Sequence, residues 1–136
     1  MTNTEIVKGM YAAFGRGDVS GVLNALADDV DWLTPGSKAV PYAGRYRGRD
    51  AVAGFFQKLV ETCELDPFII EQYVEQGDVV VALGSYTGRA KATKKGFQSR
   101  WSMVFKFRGG KVASFEEYLD TAAIESAFVP PLAARG

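Results

Sequence analysis

Asp120 closes the stretch in which this chain concentrates its chemistry. Residues 96–120 read GFQSRWSMVFKFRGGKVASFEEYLD. The first run alternates with period two and puts Phe97, Ser99, Trp101, Met103, Phe105 and Phe107 on one face of a strand. A carboxylate at the mouth of an apolar cavity with such a lining removes a proton adjacent to a carbonyl when burial raises its pKa. The competing reading of Asp120 is local: it precedes a short helix and would accept hydrogen bonds from the free N–H groups there. The aromatic face has two readings as well, a ligand site or simply the core of a small domain.

The residues the chain lacks narrow the chemistry further. It contains no histidine, so Ser-His-Asp and Cys-His mechanisms, histidine metal sites and a histidine general base are excluded within it. Its one cysteine, Cys63, forms no intrachain disulfide and has no base nearby in sequence, which favours a structural role. Lysine plus arginine and aspartate plus glutamate stand at 16 each, a balance that gives no support for a nucleic-acid partner. Arg45, Arg47 and Arg49 alternate with glycines and Tyr46 as in a polar loop, and Gly44 and Gly48 make no phosphate-binding fingerprint. Arg100 is placed to pair with Glu116 or Glu117 across the ribbon, or to meet a ligand anion. No apolar run approaches the ~20 residues of a membrane-spanning helix. The start, MTNTEIVKG, lacks a signal-peptide pattern. The expectation is a cytoplasmic protein with no membrane partner.

The elements that must position these residues follow from pattern. The 136 residues suit a single domain, 1–136, with one core. Ile6, Val7, Met10, Tyr11 and Phe14 make a helical stripe capped by Asn3 or Thr4, with Gly15-Arg16-Gly17 as its stop. Asp18 caps a second helix through Leu26, and a short strand covers residues 30–34. The segment SKAVPYAGRYRG reads as a long loop. Asp50 opens a third helix carrying Phe55 and Phe56. From Leu65 onward strands follow in hairpin succession, with turns at Gly77-Asp78 and Gly109-Gly110. A short helix after Asp120 ends at Pro130-Pro131. The order suggests an α+β domain with helices on one side of a curved antiparallel sheet. Gly77, Gly84, Gly88, Gly96, Gly109 and Gly110 would permit the curl, and the space left under the helices would be an apolar, aromatic ligand cavity.

Four separated motifs carry a resemblance. YAAFGRGD at 11–18, LADDVDW at 26–32, PYAGRYRGR at 41–49 and GKVASFEEYLDT at 110–121 resemble the successive signatures of the SnoaL-like polyketide-cyclase branch of the NTF2-like, or ketosteroid-isomerase-like, superfamily. The resemblance implies a cone-shaped α+β fold, with a strongly curved, mainly antiparallel sheet covered by N-terminal helices. It also implies a homodimer, a hydrophobic small molecule entering between helices and sheet, and no obligatory metal or cofactor. In steroid isomerases a catalytic aspartate precedes a proline; the corresponding residue here is Thr34, before Pro35, which disfavours ordinary ketosteroid isomerisation. Their oxyanion-binding tyrosine is matched in place by Tyr11, while their second, protonated acid has no counterpart in residues 99–103. The Arg/Asp pair of limonene-type epoxide hydrolases is missing from Ser85-Tyr86-Thr87. The polyketide-cyclase acid/base, near the end of the last strand, corresponds to Asp120. With Asp120 as the base, Tyr11, Tyr118 or Trp101 would orient a substrate oxygen. Trp32, Phe55, Met103 and Phe105 enclose its hydrocarbon part, joined by Phe14 and Tyr46.

Three functions remain open on this reading. One is an isomerase or cyclase that moves a proton on a small hydrophobic carbonyl compound without a cofactor. The others are a noncatalytic small-molecule-binding domain and a dimerisation module.

Overall fold

The computed structural model describes residues 1–130; Pro131, of the expected Pro-Pro stop, lies outside them. Helix α1 (Asn3–Gly15) is capped by Thr2, one residue before the expected position, because Glu5 reaches back to complete a capping box. Asp18 caps α2 (Val19–Leu23) by accepting from the Gly21 N–H at 3.0 Å. Strand β1 (Leu26–Thr34) begins where the second helix was expected to continue, since Leu26 pairs with Val112 in the sheet. The expected loop contains β2 (Gly44–Arg47), held by antiparallel pairing from Asp31↔Arg47 to Thr34↔Gly44. Helix α3 (Arg49–Thr62) follows, then β3 (Cys63–Gln76), β4 (Val79–Ala90), β5 (Gly96–Arg108), β6 (Lys111–Leu119) and α4 (Thr121–Phe128).

The strands form one six-stranded sheet in the order β2-β1-β6-β5-β4-β3. All pairs are antiparallel except β1 with β6, which is parallel. This corrects the expected strongly curved, cone-shaped sheet: the α+β class with covering helices stands, but the sheet is open, with β2 and β3 as unjoined edges. The glycines on which the curl was argued have other causes. Gly77, Gly109 and Gly110 take positive φ at the hairpin turns. Gly84 and Gly88 lie under rings, where an added Cβ would stand 2.4 Å from Trp101 Cζ2 and 2.3 Å from Phe97 Cζ. Small residues on β4 thus make room for large ones on β5.

The helices lie against one face of the sheet. Tyr11 of α1 meets Trp101 and Phe105, Phe55 of α3 meets Trp32, and Phe128 of α4 meets Phe97. The inward residues of β5, Phe97, Trp101, Met103, Phe105 and Phe107, are all buried. Ile69, Val74 and Tyr118 are exposed on the sheet.

Candidate functional site

Two rows of side chains cross the inner face beneath the helices. The first runs from Thr34 on β1 through Glu117 on β6 to Met103 on β5. Thr34 Oγ1 donates to Glu117 Oε1 at 2.9 Å, and Glu117 stands directly opposite Met103. Tyr11 reaches this row from α1, its phenol donating to Met103 Sδ at 3.0 Å. Directly opposed residues have Cβ atoms ~5 Å apart, so Tyr11 meets this row at the residue opposite Glu117. The second row is Trp32, Phe115 and Phe105. Trp32 pairs with Phe115 in the sheet and stacks on it, with centroids 3.8 Å apart and planes 18° apart. Phe115 meets Phe105 edge-on at 5.1 Å.

Above these rows lies a cavity of about 70 Å³. Met10, Tyr11 and Phe14 of α1, Val22 of α2 and Phe55, Phe56 and Leu59 of α3 roof it, and Tyr42, Leu65, Phe68 and Tyr86 complete its walls. One water occupies ~10–15 Å³ on this measure and a benzene-binding cavity about 150 Å³. The space therefore has room for a few waters or part of a small ring, and Tyr11, Phe14, Leu65 and Phe68 in its lining are only half-buried.

Glu117 is the carboxylate of this lining and is only 6% exposed. Burial pushes its pKa up to about 7, against the opposing hydrogen bond from Thr34. Burial and then the Glu117 charge push the Tyr11 and Tyr86 phenols above the ordinary range; for Tyr42 burial leads, followed by Cys63 and Glu117. All three remain O–H donors at neutral pH. The Cys63 thiol is pushed up to about 12 by burial, so it stays an un-ionised core group. Among the described residues no group of three or more Cys, Asp or Glu side chains gathers as a metal site.

The expected site residues separate in space. Tyr11, Phe14, Trp32, Phe55, Met103 and Phe105 line the cavity. Trp101 is buried behind it, packed on Tyr11 and Phe68 at 5.9 and 5.3 Å. Tyr46 packs edge-on against Phe55 at 5.4 Å and donates to the Tyr42 carbonyl, outside the lining. Tyr118 is 53% exposed. Asp120 is exposed at the start of α4, where Oδ1 accepts from the Ala123 N–H at 3.0 Å and its own N–H donates to Ser99 Oγ at 2.9 Å. Arg100 is exposed while Glu117 turns inward, so the expected pairing of these two is not formed. Sequence reasoning missed Glu117, Tyr42 and Tyr86. For Glu117 a signal existed: period two places it in register with Phe115.

Comparison with known proteins agrees with this architecture. An NTF2-like protein from Burkholderia xenovorans is 41% identical, with a TM-score of 0.85 over 93% of this chain and 95% of that one. An NTF2-like protein of unknown function from Burkholderia pseudomallei is 30% identical, with a TM-score of 0.87 over 95% and 99%. An uncharacterized protein of Mycobacterium tuberculosis is 28% identical over 90% of this chain and 92% of its own length. The family model described as the SnoaL-like domain matches residues 7–115. Because that match covers more than half of the sequence, the chain belongs to the SnoaL-like family, within the NTF2-like superfamily.

Proposed function

We propose that this protein is a cofactor-independent acid/base enzyme that moves a proton next to the carbonyl of a small hydrophobic compound, with Glu117 as the base. The observation that carries this reading is a lone carboxyl, inside an aromatic cavity, brought to a pKa of about 7. A base with that pKa is half ionised at neutral pH and strong enough to take an activated C–H proton. Thr34 fixes the carboxyl through Oε1. Tyr11 holds the substrate oxygen: its hydroxyl rests on a thioether, a weak acceptor that a carbonyl oxygen readily replaces. As negative charge grows on that oxygen, a phenol donor in a dry site stabilises it. Removal of the proton is the shared step: an isomerase returns it at another carbon, whereas in a cyclase the carbanion attacks a second carbonyl carbon, whose oxygen takes up the proton.

The test is deuterium exchange at the α-carbon of cyclohexanone, followed by NMR. Glu117→Gln should slow exchange by ~10²–10⁴, the usual contribution of a general base, and the wild-type rate should rise with pH to a plateau above about 7. The resemblance assigns proton transfer to Asp120 instead. Loss of exchange in Asp120→Asn but not in Glu117→Gln would support that assignment and overturn ours. A bound ketone that never exchanges would make the cavity a binding site alone.

The same reading includes a homodimer. A second copy is proposed to cover the sheet face opposite the helices, where Ile69, Val74 and Tyr118 are exposed.

A further inference from the structure

Trp32 presents an inconsistency inside the cavity. It is 4% exposed, it lines the space, and its indole Nε1–H has no hydrogen-bond partner among the described residues. A buried donor left unsatisfied is costly, and few donors in native proteins are left so. The position is also specific. Trp32 lies two residues before Thr34 on β1, and its stacking partner Phe115 lies two residues before Glu117 on β6. Trp32 and Thr34 therefore share one face of β1, as Phe115 and Glu117 share one face of β6, and Trp32 and Glu117 line the same cavity.

Resting on the reading that this cavity takes a carbonyl compound, we infer that Trp32 is a ligand-positioning residue. Its indole N–H donates to the ligand's oxygen and makes the site select oxygen-bearing rings over hydrocarbons of equal shape. Tyr11 approaches from α1 above the cavity and Trp32 from the sheet below it. A carbonyl oxygen carries two lone pairs, one for each donor. Stacking on Phe115 fixes the plane of the indole, so binding does not have to order the donor. A purely apolar ligand would leave the N–H unpaired in a still drier site and would also displace any water bound there.

Trp101 supplies an internal control. Its indole N–H is likewise buried and unpartnered among the described residues, but the residue is not part of the cavity lining. The chain has two tryptophans, so a ¹⁵N-labelled sample gives two indole signals, assigned by the loss of one in Trp32→Phe or in Trp101→Phe. The full chain is titrated with cyclohexanone and with methylenecyclohexane, which keeps the ring and the exocyclic double bond but has no acceptor oxygen.

The expected result is a downfield shift of the Trp32 indole proton with the ketone only, with the Trp101 signal moving much less. Trp32→Phe should weaken the ketone by about fivefold to tenfold, the size of one neutral hydrogen bond, and leave the hydrocarbon unchanged. Because the wild-type shift needs no variant, misfolding of Trp32→Phe does not spoil the test. Equal shifts with both probes, or a ketone that binds without moving this signal or fails to bind, would overturn the inference. Deuterium exchange separates the two readings. A ketone-selective Trp32 shift without exchange keeps Trp32 and removes Glu117 as base; exchange without the shift does the reverse.

Discussion

Glu117 makes the folded protein sensitive to pH in a direction opposite to most carboxylates. Its folded pKa, about 7, lies above the ordinary 4.5, so between these values the native state holds a proton that the unfolded chain releases. The stability this group provides is complete below about 4.5 and is lost as pH rises through about 7. A shift of this size corresponds to ~3 kcal/mol at ~1.4 kcal/mol per pH unit. Glu117→Gln stays neutral and can still accept from Thr34, so urea unfolding should show the variant gaining ~3 kcal/mol on the wild type between pH 4.5 and pH 8. A difference independent of pH would contradict the buried carboxyl. Thr34→Val tests the partner. It keeps the shape and removes the hydroxyl that holds the Glu117 pKa down. The Glu117 titration should therefore move further up, as measured by carboxyl NMR, and stability at pH 8 should fall by ~1–3 kcal/mol. Sequence alone hid this pair for a physical reason. Glu116-Glu117 looks like a solvated doublet, and the hydroxyl that orients Glu117 arrives from 83 residues away.

At the scale of elements, the legible features were those fixed by local pattern. The alternation of β5, the Gly109-Gly110 turn and the caps at Asp18 and Asp120 could be read directly, because each depends on residues close in sequence. Two features escaped because partners distant in the chain decide them. Residues 44–47 become a strand only by pairing with β1, and Leu26 leaves the helical pattern to meet Val112. The glycines of β4 were read as points of bending, whereas the packing of β5 accounts for them. Gly84→Ala would put a methyl group 2.1 Å from the Ile69 carbonyl and 2.4 Å from the Trp101 ring. Since backbone must move, the expected cost is ~1–3 kcal/mol or more, with a changed near-UV circular dichroism signal from Trp101. Gly54 lies within α3 and an added Cβ meets nothing within 4 Å, so Gly54→Ala should raise stability by ~0.5–1 kcal/mol. Urea unfolding of the two variants side by side tests whether glycine serves ring clearance in β4 and nothing comparable in α3.

For the molecule as a whole, the one-sided placement of the helices sets the remaining problem. They leave the other face of the sheet to Val81, Leu83 and Val104, all partly exposed, with Ile69, Val74 and Tyr118 exposed more fully. The proposed second copy would remove this surface from water at ~25 cal/mol per Å² of apolar area, and a two-fold arrangement would set the same strands against each other. Val104 offers a clean test because it stands opposite Glu116 at the middle of the sheet. A lysine there has a carboxylate to pair with in an isolated chain, where surface changes usually stay within ~0.5 kcal/mol. In a dimer the same lysine and Glu116 must both leave water, and desolvating the added charge opposes association by several kcal/mol. Sedimentation velocity should therefore find the wild type as a dimer and Val104→Lys as a folded monomer of unchanged circular dichroism. The cavity lies between the helices and the inner face of the sheet, away from this surface, so the monomeric variant should still exchange the α-protons of cyclohexanone. A wild type that sediments as a monomer at every concentration would leave the bare face to another partner, and loss of exchange in the folded monomer would mean that the second copy helps to shape the site.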